Sequence, residues 1–340
     1  MIHYFLKKTI RFLFPLSIFF LLILFIIIYL DVFKVFFSYE NYNDTFVSLN
    51  RNVVTTRMYQ NNRTKENFDS FIFGSSRSQA FKVNNWKNYL EEDASPFHFD
   101  SSSEGIYGIS TKIEYIANQG DTIKNALLIL DHDILQKTVD NSGHLFMSVP
   151  EVSGNSSFNF YFTFVKSSFN LRFLLAYIDY SIFKKYRSSY MGFLIRDTKY
   201  PHITHPKNGD IWYGYDTHIA NDSLGYYQER IASGVFYKRE DIAQEKVKST
   251  VTEREKKQLM SIKSIFDKHK TNYKIVIAPL YDQIPLEKSQ LETLKIIFGK
   301  ENVFDFSGKN ELTEPIINFY EKSHFRPHVA DSVMAEIYTK

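Results

Sequence analysis

Two short stretches at opposite ends of the chain hold residue types that can relay a proton. The first is Phe71-Ile72-Phe73-Gly74-Ser75-Ser76-Arg77-Ser78, an apolar run ending in Gly-Ser-Ser. A glycine lets the chain turn sharply at the carboxyl end of a buried strand, where open α/β sheets place their ligand sites. Such a turn presents a serine hydroxyl at that crevice, although serine there also fits a plain helix N-cap. The second stretch is Glu321-Lys322-Ser323-His324-Phe325-Arg326-Pro327-His328. An acid three residues before a histidine, on a short loop into a final helix, can hold the imidazole while its other nitrogen faces a nucleophile. A surface-loop role for His324 and a helix-start role for His328 after Pro327 fit the same residues. The chain has no cysteine, so covalent catalysis must use oxygen or nitrogen.

Three further polar groupings stand out. Ser103-x-Gly105-x-x-Gly108-x-Ser110 reads as a tight turn into a helix, and Asp131-His132-Asp133 follows an apolar run. His202, His205 and His218 flank Trp212, Tyr213 and Tyr215, whose flat faces beside polar groups suit a sugar or another acceptor. These histidines and acids lack a helical i, i+4 pair or a zinc-type spacing, so neither a metal nor a cofactor is expected.

The elements that must position these residues alternate. Buried-strand patterns occur at Ser70–Phe73, Pro96–Asp100, Ala126–Leu130, Lys274–Ala278 and Asn302–Phe306. Helical patterns separate most of them, at Ile109–Asn118, Thr252–His269 and Leu286–Phe298, with another at His328–Tyr338. This order predicts an α/β fold with a parallel sheet of about five strands covered on both faces. The alternation stops over residues 134–249, an insertion long enough to carry structure of its own. Its aromatic first half, Phe158–Tyr186, is broken by Lys166, Arg172, Asp179 and Lys184, which argues against a membrane span. It is expected as a helical cap over the active-site end of the sheet, the alternative being a surface lying on a bilayer or docking a membrane partner.

Phe12 to Leu30 carries no charge, and nineteen residues at about 1.5 Å each match the hydrocarbon thickness of a bilayer. One transmembrane helix is predicted over 12–30. The run exceeds a cleaved signal's usual apolar core, and no small-x-small site follows it. Lys7, Lys8 and Arg11 precede the span, so residues 1–11 read as a cytoplasmic tail and the remainder as extracytoplasmic. Residues 31–67, polar and weakly periodic, read as a stalk with room for one helix leading to the domain, and 68–340 as the main domain. Lys and Arg number 41 against 38 Asp and Glu, spread along the chain, so no basic field points to nucleic acid.

Taken together, Gly74-Ser75-Ser76 and Glu321-x-x-His324 resemble the first and last sequence blocks of the SGNH (GDSL-like) hydrolases, Gly-Asp-Ser and Asp-x-x-His. The chain is similar in particular to the membrane-anchored branch concerned with envelope-polymer acylation, as in alginate acetylation and teichoic-acid alanylation. The resemblance covers roughly Ser70–Asp133 and Thr252–Lys340. It implies a flavodoxin-like three-layer α/β/α sandwich and a serine esterase or O-acyltransferase, with Ser76 as nucleophile, His324 as base and Glu321 as orienting acid. It also implies an acylated carbohydrate or other ester as substrate, with a multi-pass membrane acyl donor as partner. A non-catalytic binding or assembly module on the same fold is the rival reading. The chain departs from the family pattern at Ser75 and Glu321, each in place of Asp. A third departure is Leu130-Asp131-His132-Asp133, in place of a Gly-x-Asn-Asp block whose Asn donates to the oxyanion. The implied oxyanion donors are the Ser76 N–H and Gly108, with His132 standing in for the Asn.

Overall fold

Nine strands run through the computed structural model, which describes residues 2–197, 199–239 and 251–339. They are β1 (Ser70–Gly74), β2 (Pro96–His98), β3 (Asn125–Leu130), β4 (His202–Thr204), β5 (Ile211–Tyr213), β6 (Asn272–Ile277), β7 (Val303–Asp305), β8 (Phe319–Glu321) and β9 (His324–Phe325). Five of them form one parallel sheet in the order β2-β1-β3-β6-β7, each overlapping a strand expected from the sequence. The order reverses at β1, which lies between β2 and β3, so its carboxyl end faces the crevice where the connections diverge.

The apolar runs form buried strands because both faces are covered. Phe71, Phe73, Leu128 and Ile275 join one apolar cluster with α2 (Arg51–Glu66), α4 (Ile106–Asn118), α12 (Glu253–His269) and α13 (Lys288–Phe298). Ile72, Leu127, Ile129 and Val276, one residue out of phase, join a second cluster with α3 (Val83–Lys87), α11 (Ser223–Ala232) and α14 (Pro327–Thr339). The start of α12 is fixed by a reciprocal cap: Thr252 Oγ1 accepts the Glu255 N–H at 3.1 Å, while the Glu255 carboxylate accepts the Thr252 N–H.

Helix α1 (Ile2–Leu30) is long and apolar enough over Lys7–Leu30 to cross a membrane, and among the described residues its most apolar window is not buried. The residues after it are not the stalk that their polarity predicted. Asn50 caps α2 by accepting the N–H groups of Asn52 and Val53, and Val53, Val54, Met58 and Tyr59 are buried. Arg51 is buried too, its guanidinium 2.6 Å from the Asp100 carboxylate just past β2. These polar residues therefore belong inside the domain, with partners supplied from distant parts of the chain.

The insertion holds α5 (His132–Gln136) at its start, then α6 (Pro150–Ser153), α7 (Ser157–Ser168), α8 (Leu171–Phe183), α9 (Ser188–Met191), the β4–β5 hairpin, α10 (Tyr215–Asn221) and α11. Its last residues, 240–249, lie outside the described residues. Helices α7 and α8 do not form the expected cap over the sheet. Their inner residues Phe160, Phe164 and Phe173 pack instead with Phe33, Val35 and Val47, close to where α1 ends. The sheet's active end is approached by the hairpin and α10, the polar second half of the insertion.

Candidate active site

The turn after β1 is closely packed. A Cβ on Gly74 would stand 2.8 Å from the Ser78 Cβ and 2.9 Å from the Ile129 carbonyl, so only glycine lets β1 run into the turn against β3. A short 3-10 turn, Ser76–Ala80, follows directly. Ser75 takes the capping role, its hydroxyl accepting the Arg77 N–H at 3.4 Å, and its side chain is buried. The two serines thus divide the tasks the sequence left open: Ser75 caps, and the half-buried Ser76 hydroxyl is left to face the last strands.

Those strands are where the sequence predicted a loop. β8 and β9 form a tight antiparallel hairpin in which Glu321 pairs directly with His324. Cross-strand partners have their side chains about 5 Å apart on one face, which brings carboxylate and imidazole together. His324 Nδ1 bonds Glu321 Oε1, and His324 Nε2 lies 2.8 Å from Ser76 Oγ. The second carboxylate oxygen accepts the Ser323 N–H at 2.8 Å. Burial alone would push the Glu321 carboxyl up, but the hydrogen bonds from His324 and Ser323 outweigh it and hold the group below the usual carboxylate range. Glu321 therefore stays ionised beside the imidazole. With Nδ1–H donated to Glu321, Nε2 is free to accept the Ser76 proton, the arrangement needed for attack on an ester carbonyl.

The insertion braces this hairpin. The Tyr226 hydroxyl donates to the Tyr320 carbonyl at 2.9 Å, Arg230 Nε donates to the same oxygen at 3.1 Å, and Tyr227 donates to the carbonyls of Ile317 and Phe319. The Tyr320 hydroxyl bonds Asp216 on α10. The Tyr213 ring stands edge-on to His324, 5.9 Å between centroids, while its hydroxyl bonds Gln79 in the nucleophile turn. His202 packs on Tyr213 and Tyr215, and its buried Nδ1 has no partner. Burial, with Arg196 and His324 nearby, pushes His202 down to about 4. Nothing in the local sequence pointed to Tyr226 and Tyr227, because their partners lie about ninety residues away.

The residues expected as oxyanion donors divide differently. As the first residue of its turn, Ser76 has a backbone N–H with no acceptor inside the turn. Gly108 lies within the first turn of α4, where a Cβ would run into the buried carboxylate of Glu104. His132 opens α5 with its Nε2 3.1 Å from Asp133, whose hydrogen bond raises the imidazole above its ordinary value. Arg77, next to Ser76, lies 2.7 Å from Asp131 and 2.9 Å from Asp133. Burial works against the Arg77 charge, but the two carboxylates outweigh it. Arg77 thus pins the nucleophile turn to the end of β3. The structure brings Ser76, His324 and Glu321 together, turns His132 to Asp133, and packs Gly108 against Glu104. Among the described residues no group of three or more His, Asp and Glu side chains is set to hold a metal.

A second relay shares the same turn. Ser78 Oγ lies 3.0 Å from His98 Nε2, and His98 Nδ1 lies 3.3 Å from Asp210, whose carboxylate also accepts the Val83 N–H. All three side chains are fully buried. Compared with known proteins, the chain matches no family model and no curated relative.

Proposed function

We propose that this chain is a serine esterase or O-acyltransferase with a flavodoxin-like SGNH fold, acting through an acyl-Ser76 intermediate. The observation that carries the reading is the continuous Ser76–His324–Glu321 hydrogen-bond chain at the carboxyl end of β1. His324 takes the hydroxyl proton as Ser76 attacks the ester carbonyl, Glu321 stabilises the imidazolium, and the proton then goes to the leaving alcohol. Water or a carbohydrate hydroxyl next accepts the acyl group from Ser76. With α1 as a single-pass anchor and its amino end cytoplasmic, the domain lies outside the cytoplasm, so the substrate is an acylated envelope or exported carbohydrate. A multi-pass membrane protein is the acyl donor that such an anchored enzyme would serve.

A second reading keeps the fold as a non-catalytic binding or assembly module of polysaccharide modification or export. One observation favours it: His132, expected in place of the oxyanion-donating Asn, is already engaged by Asp133. Loss of one such donor typically costs ~10²–10³ in turnover.

The test is a membrane-impermeant fluorophosphonate added to intact cells making the full chain. Labelling of wild type and not of Ser76→Ala is expected. Labelling only after lysis would move the domain to the cytoplasm, and no labelling of the folded protein in either state would favour the binding module.

A further inference from the structure

Helices α7 and α8 are apolar on both sides. Phe160, Phe164, Phe173 and Ala176 face inward and are buried. The outer face carries Phe158 and Phe162 on α7 and Leu171, Leu175, Ile178 and Ile182 on α8, all more than half exposed. The α8 residues fall at i, i+4, i+7 and i+11, which is one continuous stripe along a helix. Among the described residues none covers it, and an apolar face of this length in water marks an interaction surface.

The position of the helices says what covers it. Asp31 ends α1, and its carboxylate accepts the N–H groups of Val35, Phe36 and Phe37 at 2.8, 2.9 and 3.1 Å, tying the exit of α1 into a tight turn. Phe33, three residues past Leu30, has its ring 5.8 Å from Phe164 and 4.8 Å from Phe173. Three residues extend at most about 10 Å, so with α1 spanning a bilayer the two helices stand at its surface. Charge fits the same place. Residues 157–187 hold five cations, Lys166, Arg172, Lys184, Lys185 and Arg187, against one acid, Asp179. An apolar helical face flanked by basic side chains is the composition of a helix lying at a lipid headgroup boundary.

We infer that α7 and α8 form a second membrane contact, with the outer stripe sunk into the acyl-chain boundary of the same leaflet from which α1 emerges. Two contacts instead of one fix the tilt of the domain, and so hold the Ser76 site at a set height above the lipid. This rests on α1 spanning the bilayer, and the experiment separates the two. The chain has no cysteine, so single variants Leu175→Cys, Ile178→Cys and Ile182→Cys each carry one nitroxide label. Ile18→Cys on α1 and Ile296→Cys, an exposed position on α13, serve as references. The full chain is placed in nanodiscs of phosphatidylcholine and phosphatidylglycerol, and collisions with oxygen and with a soluble nickel chelate are compared by power saturation. The α8 labels and the Ile18 label are expected to favour oxygen, and the Ile296 label the nickel chelate. If the α8 labels behave like Ile296 while Ile18 reads lipid, the inference fails and the anchor stands. If Ile18 also reads water, the anchor itself fails. Labels on α8 shielded from both reagents would mean that a second copy covers the face, which also overturns the inference.

Discussion

Replacing Glu321 with Gln keeps the size of the side chain and removes its charge, and the hairpin geometry sets how much activity should be lost. One carboxylate oxygen holds His324 Nδ1 and the other accepts the Ser323 N–H at 2.8 Å. A Gln amide has one acceptor and one donor for these two sites. With its carbonyl on the Ser323 N–H, the NH2 faces Nδ1 and imposes the tautomer that carries its proton on Nε2, which cannot accept from Ser76. With the amide flipped, the productive tautomer returns but NH2 opposes the Ser323 N–H. A lost hydrogen bond there costs ~1–3 kcal/mol, so only about one molecule in 5 to 160 is competent. The imidazolium then also lacks its counter-charge. The expected fall in turnover is ~10²–10⁴, smaller than for His324→Ala. Glu321→Asp keeps the charge and should retain substantial activity. The assay is turnover of a small acetyl ester by the full chain, with Ser76→Ala as background and thermal melts to check equal folding. A Glu321→Gln protein as fast as wild type would refute the argument and reduce Glu321 to a hairpin residue beside a Ser76–His324 dyad.

Ser78→Ala should leave fluorophosphonate labelling of Ser76 in place but destabilise the fold by ~1–3 kcal/mol in urea, because buried His98 loses its Nε2 partner; loss of labelling at full stability would reverse the roles of the two serines. Tyr226→Phe removes one of two donors to the Tyr320 carbonyl and should cost ~0.5–1.5 kcal/mol by the same measurement, with no effect expected if the hairpin needs no brace. Burial, with Arg196 and His324 nearby, lowers His202 from 6.5 to about 4, with Tyr213 and Tyr215 packed on it. The unfolded chain binds that proton before the native state does, so the His202 contribution is complete above pH 6.5 and is lost as pH falls towards 4. The loss reaches at most roughly 3 kcal/mol before solvent screening. His202→Gln should lose less stability than wild type between those pH values, and equal losses would contradict the shift.

What could be read beforehand was what is local. Each of the five sheet strands is a contiguous apolar run, and each half of the Ser76–His324–Glu321 relay sits within a few residues, so pattern and spacing sufficed. The burial of α2 is not legible in the sequence because Arg51, Asn52, Thr55 and Thr56 look solvated there yet are buried. Arg51 finds Asp100 forty-nine residues on, and Asn52 finds the Phe146 carbonyl ninety-four residues on. The segment holding α7 and α8 is dense in aromatics and broken by Lys166, Arg172, Asp179 and Lys184, a pattern that does not say which face meets which neighbour. The Glu321 to His324 spacing was read as a loop because two-residue and three-residue strands leave no periodic signal, although their pairing is what brings the carboxylate to the imidazole.

The two serine relays on one turn show why proximity alone does not make a nucleophile. Ser78, His98 and Asp210 follow the same residue order as Ser76, His324 and Glu321, but the Ser78 hydroxyl donates to the Ser75 carbonyl at 2.8 Å and all three side chains are fully buried. His324 and Glu321 are 28% and 25% exposed, which leaves room for an ester to approach. The buried relay instead fixes Ser78 two residues beyond Ser76, while Arg77 between them is held to Asp131 and Asp133 on β3's side. The Ser76 hydroxyl is therefore oriented by neighbours tied down in two directions, the kind of prior ordering that a reacting group needs. His324 is ordered from a third side. Asp210, which holds His98, Tyr213, which reaches Gln79, and Tyr226, which holds the His324 hairpin, all come from the insertion. The part of the chain with no counterpart in the expected motifs thus joins the Ser76 turn to the His324 hairpin, and its substitution should disturb both together.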